Sequence, residues 1–316
     1  MLHRFYFKLL ISNFILLFIP YILCNKNPSF LRTYCLFLTA ELHFMSLFEA
    51  VILAIVEGIT EFLPISSTGH MVITSSLLGI HKEEFTKLYE VSIQFGAILA
   101  VVLLYARKFF QFTRWQFYVK LLIGVIPALT LGYLFSDKID AMLESPLTVA
   151  ISMLAGGIVL LFVDRAFNKP TIQADDQVSY LRAFIVGLWQ CVAMVPGVSR
   201  SAASIIGGMQ QKFTRNLAAE FSFFLAVPTM FAATFYSVFL KKWDHTGIEK
   251  KGYEIIFETS ENTFNFFAGN LMAFIVAILA IRFFINYLKV YGFKVFGWYR
   301  IIAGLILLLL LWAGVI

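Results

Sequence analysis

The chain has 316 residues, 60% of them hydrophobic and 14% charged, and a formal net charge of +6. An ordinary soluble domain carries roughly 25% charged residues, and a soluble fold of this size cannot hide so much apolar surface. The composition therefore excludes a soluble globular enzyme, a disordered chain and a nucleic-acid-binding module, and it predicts a polytopic all-α membrane protein.

Residues 1–44 open with Arg4 and Lys8 ahead of an apolar run from Leu9 to Leu23. Two readings stay open for this extension: a signal peptide or extra span, and a stretch upstream of the true start at Met45. Neither assigns it any chemistry. Residues 45–316 form the membrane domain.

The first segment of that domain, 47–80, is apolar but broken by polar groups. Glu57 and Glu61 are four residues apart and share a helix face. Two carboxylates that close repel unless a cation bridges them or one holds a proton. In apolar surroundings a hard divalent ion bound through oxygen, Mg²⁺ or Ca²⁺, satisfies them. A solvated helix end is the blander alternative. Pro64 then stops the helix, and Ser66, Ser67, Thr68, Gly69 and His70 follow. The hydroxyls suit N-capping, the helix start they cap suits phosphate, and a Ser three residues from a His suits nucleophile activation.

Clean spans are predicted at 89–106, 119–135 and 147–163. The first carries Glu90 and Gln94. A second interrupted segment, 181–211, holds Gln190 and "PGVSRSAAS" at 196–204, with Gly197, Ser199, Arg200, Ser201 and Ser204. Arg200 matches a phosphate bidentately and, inside an apolar segment, needs an anion: Glu57, Glu61 or a ligand. Further clean spans are predicted at 217–240, with Glu220, and at 264–285 and 296–314. Cys24, Cys35 and Cys191 show no metal-ligand or disulfide spacing.

The two halves, about 47–164 and 180–314, resemble each other. "EGITEFLPISSTG" (57–69) aligns without gaps on "QCVAMVPGVSRSA" (190–202), and Glu90 and Ser92 fall opposite Glu220 and Ser222. Irregular backbone at membrane depth survives only where protein or water satisfies it, so both interrupted segments are expected to be re-entrant or broken helices. Six full crossings remain, three per half. An odd number inverts the second half and places a site at the repeat interface. Loops 107–120, 164–182 and 286–300 hold ten basic residues against five in 136–146 and 241–263, which makes the first set cytoplasmic. Glu90, Gln94, Gln190 and Glu220 are expected to support the broken segments by hydrogen bonding. A metal, an Arg, two helix N-termini and a Ser/His pair together equip a site for phosphoryl transfer. A carrier or flippase for a phosphorylated lipid is the competing reading, because inverted repeats with broken helices also mark transporters.

At "EGITEFLPISSTGH" (57–70) and "PGVSRSAAS" (196–204) the sequence resembles the undecaprenyl-diphosphate phosphatase family of the bacitracin-resistance type. The likeness spans about 45–316 and departs from the family pattern at Ser204, where Thr is usual. It implies hydrolysis of undecaprenyl diphosphate to the monophosphate, which recycles the lipid carrier of peptidoglycan synthesis. It also implies a divalent cation and a site open to the outer face of the inner membrane. By resemblance, Glu57 and Glu61 hold the metal, Ser67 attacks or positions phosphate, and His70 activates it. Arg200 clamps the diphosphate, and Ser66, Ser199, Ser201 and Ser204 donate hydrogen bonds, with Thr68 and Gly197 in the same substrate-binding loops. Ser67, His70 and metal-activated water remain alternative nucleophiles. The partners implied are the polyprenyl diphosphate and membrane lipids, with no nucleic acid; a homodimer is left open.

Overall fold

A computed structural model describes residues 45–143, 145–245 and 248–314. The extension 1–44 lies outside the described residues. The membrane domain begins with α1 (Leu47–Thr60), whose start is set by Ser46 and Glu49. The Ser46 backbone N–H donates to the Glu49 carboxylate at 2.7 Å, and the Ser46 hydroxyl accepts from the Glu49 N–H, so two orphan donors are satisfied at once. After a turn containing Pro64 comes the 11-residue α2 (Ser67–Leu77). Then follow α3 (Glu84–Leu104), the single turn α4 (Ala106–Phe109), α5 (Trp115–Leu134), α6 (Ser136–Leu143) and α7 (Pro146–Ala166).

The second half repeats the order. A broken pair, α8 (Tyr180–Val192) and α9 (Arg200–Gln210), precedes α10 (Arg215–Phe235), which runs on as a π turn over Tyr236–Leu240. A short hairpin, β1 (Lys242–His245) with β2 (Ile248–Lys251), pairs Lys242 with Lys251 and Trp243 with Lys250. The sequence reading treats this stretch simply as a loop. The chain ends with α11 (Gly252–Ile256), α12 (Ser260–Tyr291) and α13 (Lys294–Trp312).

Six helices, α3, α5, α7, α10 with its π turn, α12 and α13, are long and apolar enough to cross a bilayer. Their outward faces carry exposed large apolar residues such as Leu122, Phe162, Leu271, Phe283 and Leu309. In water that surface would drive aggregation; in a bilayer it meets acyl chains. The chain is thus a multi-pass membrane protein of six full crossings and two broken helical segments.

Packing joins the halves. The helix α12 lies on α1 and α3, α5 lies on α8, α10 lies on α3, and α13 lies along α7. Lipid supplies no hydrophobic drive between helices, so close backbone approach has to hold them. At Gly187 of α8 a Cβ would run into the backbone of Gly124 on α5, and at Gly96 of α3 it would run into the Asn270 carbonyl on α12.

Two residues counted as loop charges belong elsewhere. Lys120 is buried in α5, with its ammonium on the Asp175 and Asp176 carbonyls at 2.9 and 3.1 Å. Arg300 is fully buried in α13. The basic excess of the first loop set shrinks, but its sign holds.

Gly187→Ala separates propensity from packing. Alanine favours an isolated helix by about 1 kcal/mol over glycine, yet overpacking costs roughly 1–3 kcal/mol. We expect a lower melting temperature in detergent; an increase would show that α5 and α8 do not pack this closely.

Candidate active site

The site is built from the two breaks. In each, a serine in the left-handed region caps a short helix: Ser66 at φ 72° before α2 and Ser199 at φ 76° before α9. Such backbone costs of order 1–3 kcal/mol per residue and persists only where its surroundings enforce it. Each serine hydroxyl accepts the N–H three residues on, Gly69 at 3.3 Å and Ala202 at 3.2 Å. The first free N–H groups of α2 and α9 remain at the breaks, where a helix N-terminus favours anions.

Arg300 enforces the loops from α13. Its guanidinium donates to Pro64 O (3.4 Å) in the first break and to Gly197 O and Val198 O (both 2.8 Å) in the second. It also reaches Ser152 O (3.1 Å) and Met153 O (3.3 Å) in α7. A second constraint sits at Gly197, which has φ 90° and where a Cβ would strike the Val149 carbonyl.

The ionic groups meet across the breaks. Arg200 Nη2 donates to Glu61 Oε1 at 2.9 Å, and its Nη1 donates to the Ser222 carbonyl at 2.8 Å. The other Glu61 oxygen, Oε2, accepts the Ser67 hydroxyl at 2.6 Å. Arg200 lies 5.8 Å from the centre of the Phe62 ring. The Ser201 hydroxyl donates to Phe62 O at 2.8 Å and ties α9 to the first break. Ser204 donates to Arg200 O at 2.8 Å and lies 2.6 Å from the Ser222 hydroxyl. Thus Glu61, Ser67, Arg200, Ser201 and Ser204 form one network. Within it, the Ser201 and Ser204 hydroxyls are bonded to protein groups, where a role as donors to substrate was expected.

Glu57 stands beside this network with both carboxylate oxygens buried and without a hydrogen-bond partner. It feels Glu61 and Glu90 as like charges and Arg200 as the opposite one. Glu90 Oε1 is also buried and unpartnered. A buried carboxylate with no donor is costly and calls for a proton or a cation. Among the described residues no group of three or more His, Cys, Asp or Glu forms a ready-made metal centre. Mg²⁺, however, commonly takes only one or two protein carboxylates plus substrate phosphates and water; both oxygens of Glu57 are open to such an ion, with Glu61 beside it already bonded to Arg200 and Ser67.

His70 lies apart from Ser67's hydrogen bond. Its Nδ1 is 2.7 Å from Ser66 O and its Nε2 is 2.7 Å from the Tyr299 hydroxyl, so the carboxylate of Glu61 takes the place beside Ser67 that the Ser/His spacing suggested for the imidazole. Thr68 is half-buried in the first turn of α2, and Gln94 is half-buried on α3. Gln190 donates to Thr229 Oγ1 at 3.0 Å. Glu220 pairs with Lys108 at 3.5 Å, and Lys108 also reaches Asp175. Glu90, aligned with Glu220 in the sequence, lies near enough to Glu57 to interact with it electrostatically.

Sequence reasoning missed Ser222, Tyr299 and Arg300. Ser222 had a signal in its repeat match to Ser92. Arg300 had one as well, being a permanent charge inside the predicted 296–314 span. Tyr299 had none.

The Glu61–Arg200 pair invites a double-mutant cycle. Removing one partner of a buried pair strands the other at about 3–5 kcal/mol. Arg200→Met and Glu61→Gln should each lower thermal stability in detergent, and the double variant should lose less than their sum. Additive losses would mean that the two do not interact.

A family model described as bacitracin resistance protein BacA matches residues 50–306. The undecaprenyl-diphosphatase of Flavobacterium psychrophilum is 57% identical over 267 residues, covering 84% of this chain and 96% of that protein. That of Flavobacterium johnsoniae is 55% identical over 269 residues, with the same coverage. The Porphyromonas gingivalis undecaprenyl-diphosphatase is 46% identical over 288 residues, covering 86% of this chain and 99% of its own length. With a match over most of its length and relatives this similar, the chain belongs to the BacA family of bacitracin resistance proteins.

Proposed function

We propose that this protein hydrolyses undecaprenyl diphosphate to undecaprenyl phosphate and inorganic phosphate, recycling the lipid carrier of peptidoglycan synthesis. The observation that carries the reading is the Ser67–Glu61–Arg200 chain, in which a hydroxyl, a carboxylate and a guanidinium are linked at 2.6 and 2.9 Å between two helix N-termini. A transporter has no need of a hydroxyl hydrogen-bonded to a base.

In this reading Ser67 Oγ attacks the terminal phosphorus as Glu61 accepts its proton. The bond from that phosphorus to the bridging oxygen breaks, and undecaprenyl phosphate leaves with the electron pair. Water then takes the phosphoryl group from Ser67, releasing phosphate and restoring the hydroxyl. Arg200 and the free N–H groups of α2 and α9 stabilise charge on the phosphoryl oxygens. Arg200 Nε, buried and without a protein partner, is a donor in reserve. Glu57, with Glu61 beside it, would hold a Mg²⁺ or Ca²⁺ ion. When bound, that ion supplies Lewis-acid stabilisation of the diphosphate.

The loop charges support a topology in which the two halves are inverted, and the family likeness implies a site in the cell inner membrane with the breaks open to its outer face. Arg200 supplies phosphate recognition, and the bilayer solvates the polyprenyl tail.

Purified protein in detergent should release phosphate from undecaprenyl diphosphate and stop when a chelator is added. Ser67→Ala should lower kcat by about 100-fold or more. Glu57→Gln should raise the Mg²⁺ needed for half activity by roughly 10-fold or more. Transport of a phosphorylated lipid in liposomes without phosphate release would overturn the hydrolase reading. Full activity in chelator would remove the metal from it.

A further inference from the structure

Neither ring nitrogen of His70 faces Ser67's hydrogen bond. Nδ1 lies 2.7 Å from the Ser66 carbonyl, which has no proton to give. For a neutral imidazole, Nδ1 must therefore carry the hydrogen, and Nε2 must be the acceptor. The group facing Nε2 is the Tyr299 hydroxyl, also at 2.7 Å, so the phenol donates. The two rings lie nearly parallel, 9° apart, with centroids 5.5 Å apart. Tyr299 immediately precedes Arg300, whose five carbonyl contacts hold α13 against both breaks.

We propose that Tyr299 is a positioning residue for the reaction: by donating to Nε2 it anchors the His70 ring, keeps Nδ1–H on the Ser66 carbonyl and so fixes that carbonyl at the start of α2. The inference rests on the phosphatase reading above. Ser66 is one of only three non-glycine residues at positive φ among those described, so its conformation needs external support. Its carbonyl takes the His70 backbone N–H at 3.3 Å and the imidazole at 2.7 Å, and the imidazole bond is the shorter. The next residue is Ser67, with its hydroxyl on Glu61. A swing at Ser66 would move that hydroxyl and the first N–H groups of α2 together. Loss of the phenol hydroxyl removes the anchor on Nε2 and frees the ring to turn away from the Ser66 carbonyl, and once away from it nothing keeps the hydrogen on Nδ1. This is the relation in which a partner to one ring nitrogen sets the chemistry of the other.

The test is Tyr299→Phe, which keeps the ring and removes one oxygen. Wild-type and variant protein, labelled with ¹⁵N-histidine, are examined in detergent by NMR, with His70→Gln assigning the His70 signals among the five histidines. Phosphate release from undecaprenyl diphosphate is measured on the same samples. We expect the Nδ1–H tautomer at His70 in the wild type and a tautomer mixture in Tyr299→Phe. We expect kcat to fall about 10-fold with KM held within about twofold, because positioning acts on the reacting geometry rather than on tail or headgroup binding. A wild-type His70 protonated on Nε2 overturns the proposal, and that spectrum needs no variant. Unchanged kcat in Tyr299→Phe overturns it too, as does a fall in kcat with the tautomer intact. A rise in KM alone would instead make Tyr299 a substrate contact. Wild-type protein that releases no phosphate removes the phosphatase reading and with it the catalytic role, leaving the tautomer as a separate result.

Discussion

Arg300 has five guanidinium N–H groups and meets five backbone carbonyls, from Pro64, Gly197, Val198, Ser152 and Met153. None of its hydrogen-bond partners is a carboxylate. A broken helix leaves carbonyl groups unpaired in a medium that cannot hydrogen-bond them, and a permanently charged fork supplies several donors from one side chain. The two breaks come from sequence positions more than a hundred residues apart, yet one side chain grips both. The strained serines, the paired helix N-termini and the meeting of Arg200 with Glu61 depend on the breaks staying in register.

Charge is then shared unequally between two acids of one helix face. Glu61 has a guanidinium on one oxygen and a hydroxyl on the other. Glu57, one turn earlier, has neither and is fully buried. Burial of an unpaired carboxylate is costly, so Glu57 calls for a proton or a cation, while the demands of Glu61 are met within the protein. The sequence alignment of the two halves sharpens the contrast. Gln190, which aligns with Glu57, is neutral and bonded to Thr229, so the acidic pair belongs to one half and Arg200 to the other.

Much of this was legible in the residues. Pro64 and Pro196 with their neighbouring glycines and hydroxyls mark the breaks, because polar punctuation cannot sit in a regular span without a partner. Ionisable groups inside apolar segments are rare enough that Glu57, Glu61 and Arg200 stand out. His70 misled in a specific way: a Ser and a His three residues apart suggest a nucleophile and its base, yet the left-handed Ser66 turns the imidazole back onto its own carbonyl. Arg300 falls within the loop 286–300 of the charge count as well as the 296–314 span, and only its neighbours show that it points inward.

The sequence by itself determined the solvent, the number of crossings, the positions of the two breaks and the chemical types gathered there, since these follow from local composition and spacing. Which oxygen of Glu61 meets Arg200, which carboxylate is left unpaired, and which tyrosine faces His70 were decided only by the tertiary structure. Each of those is a contact between segments far apart in the chain, and its geometry depends on helix packing that no local pattern encodes.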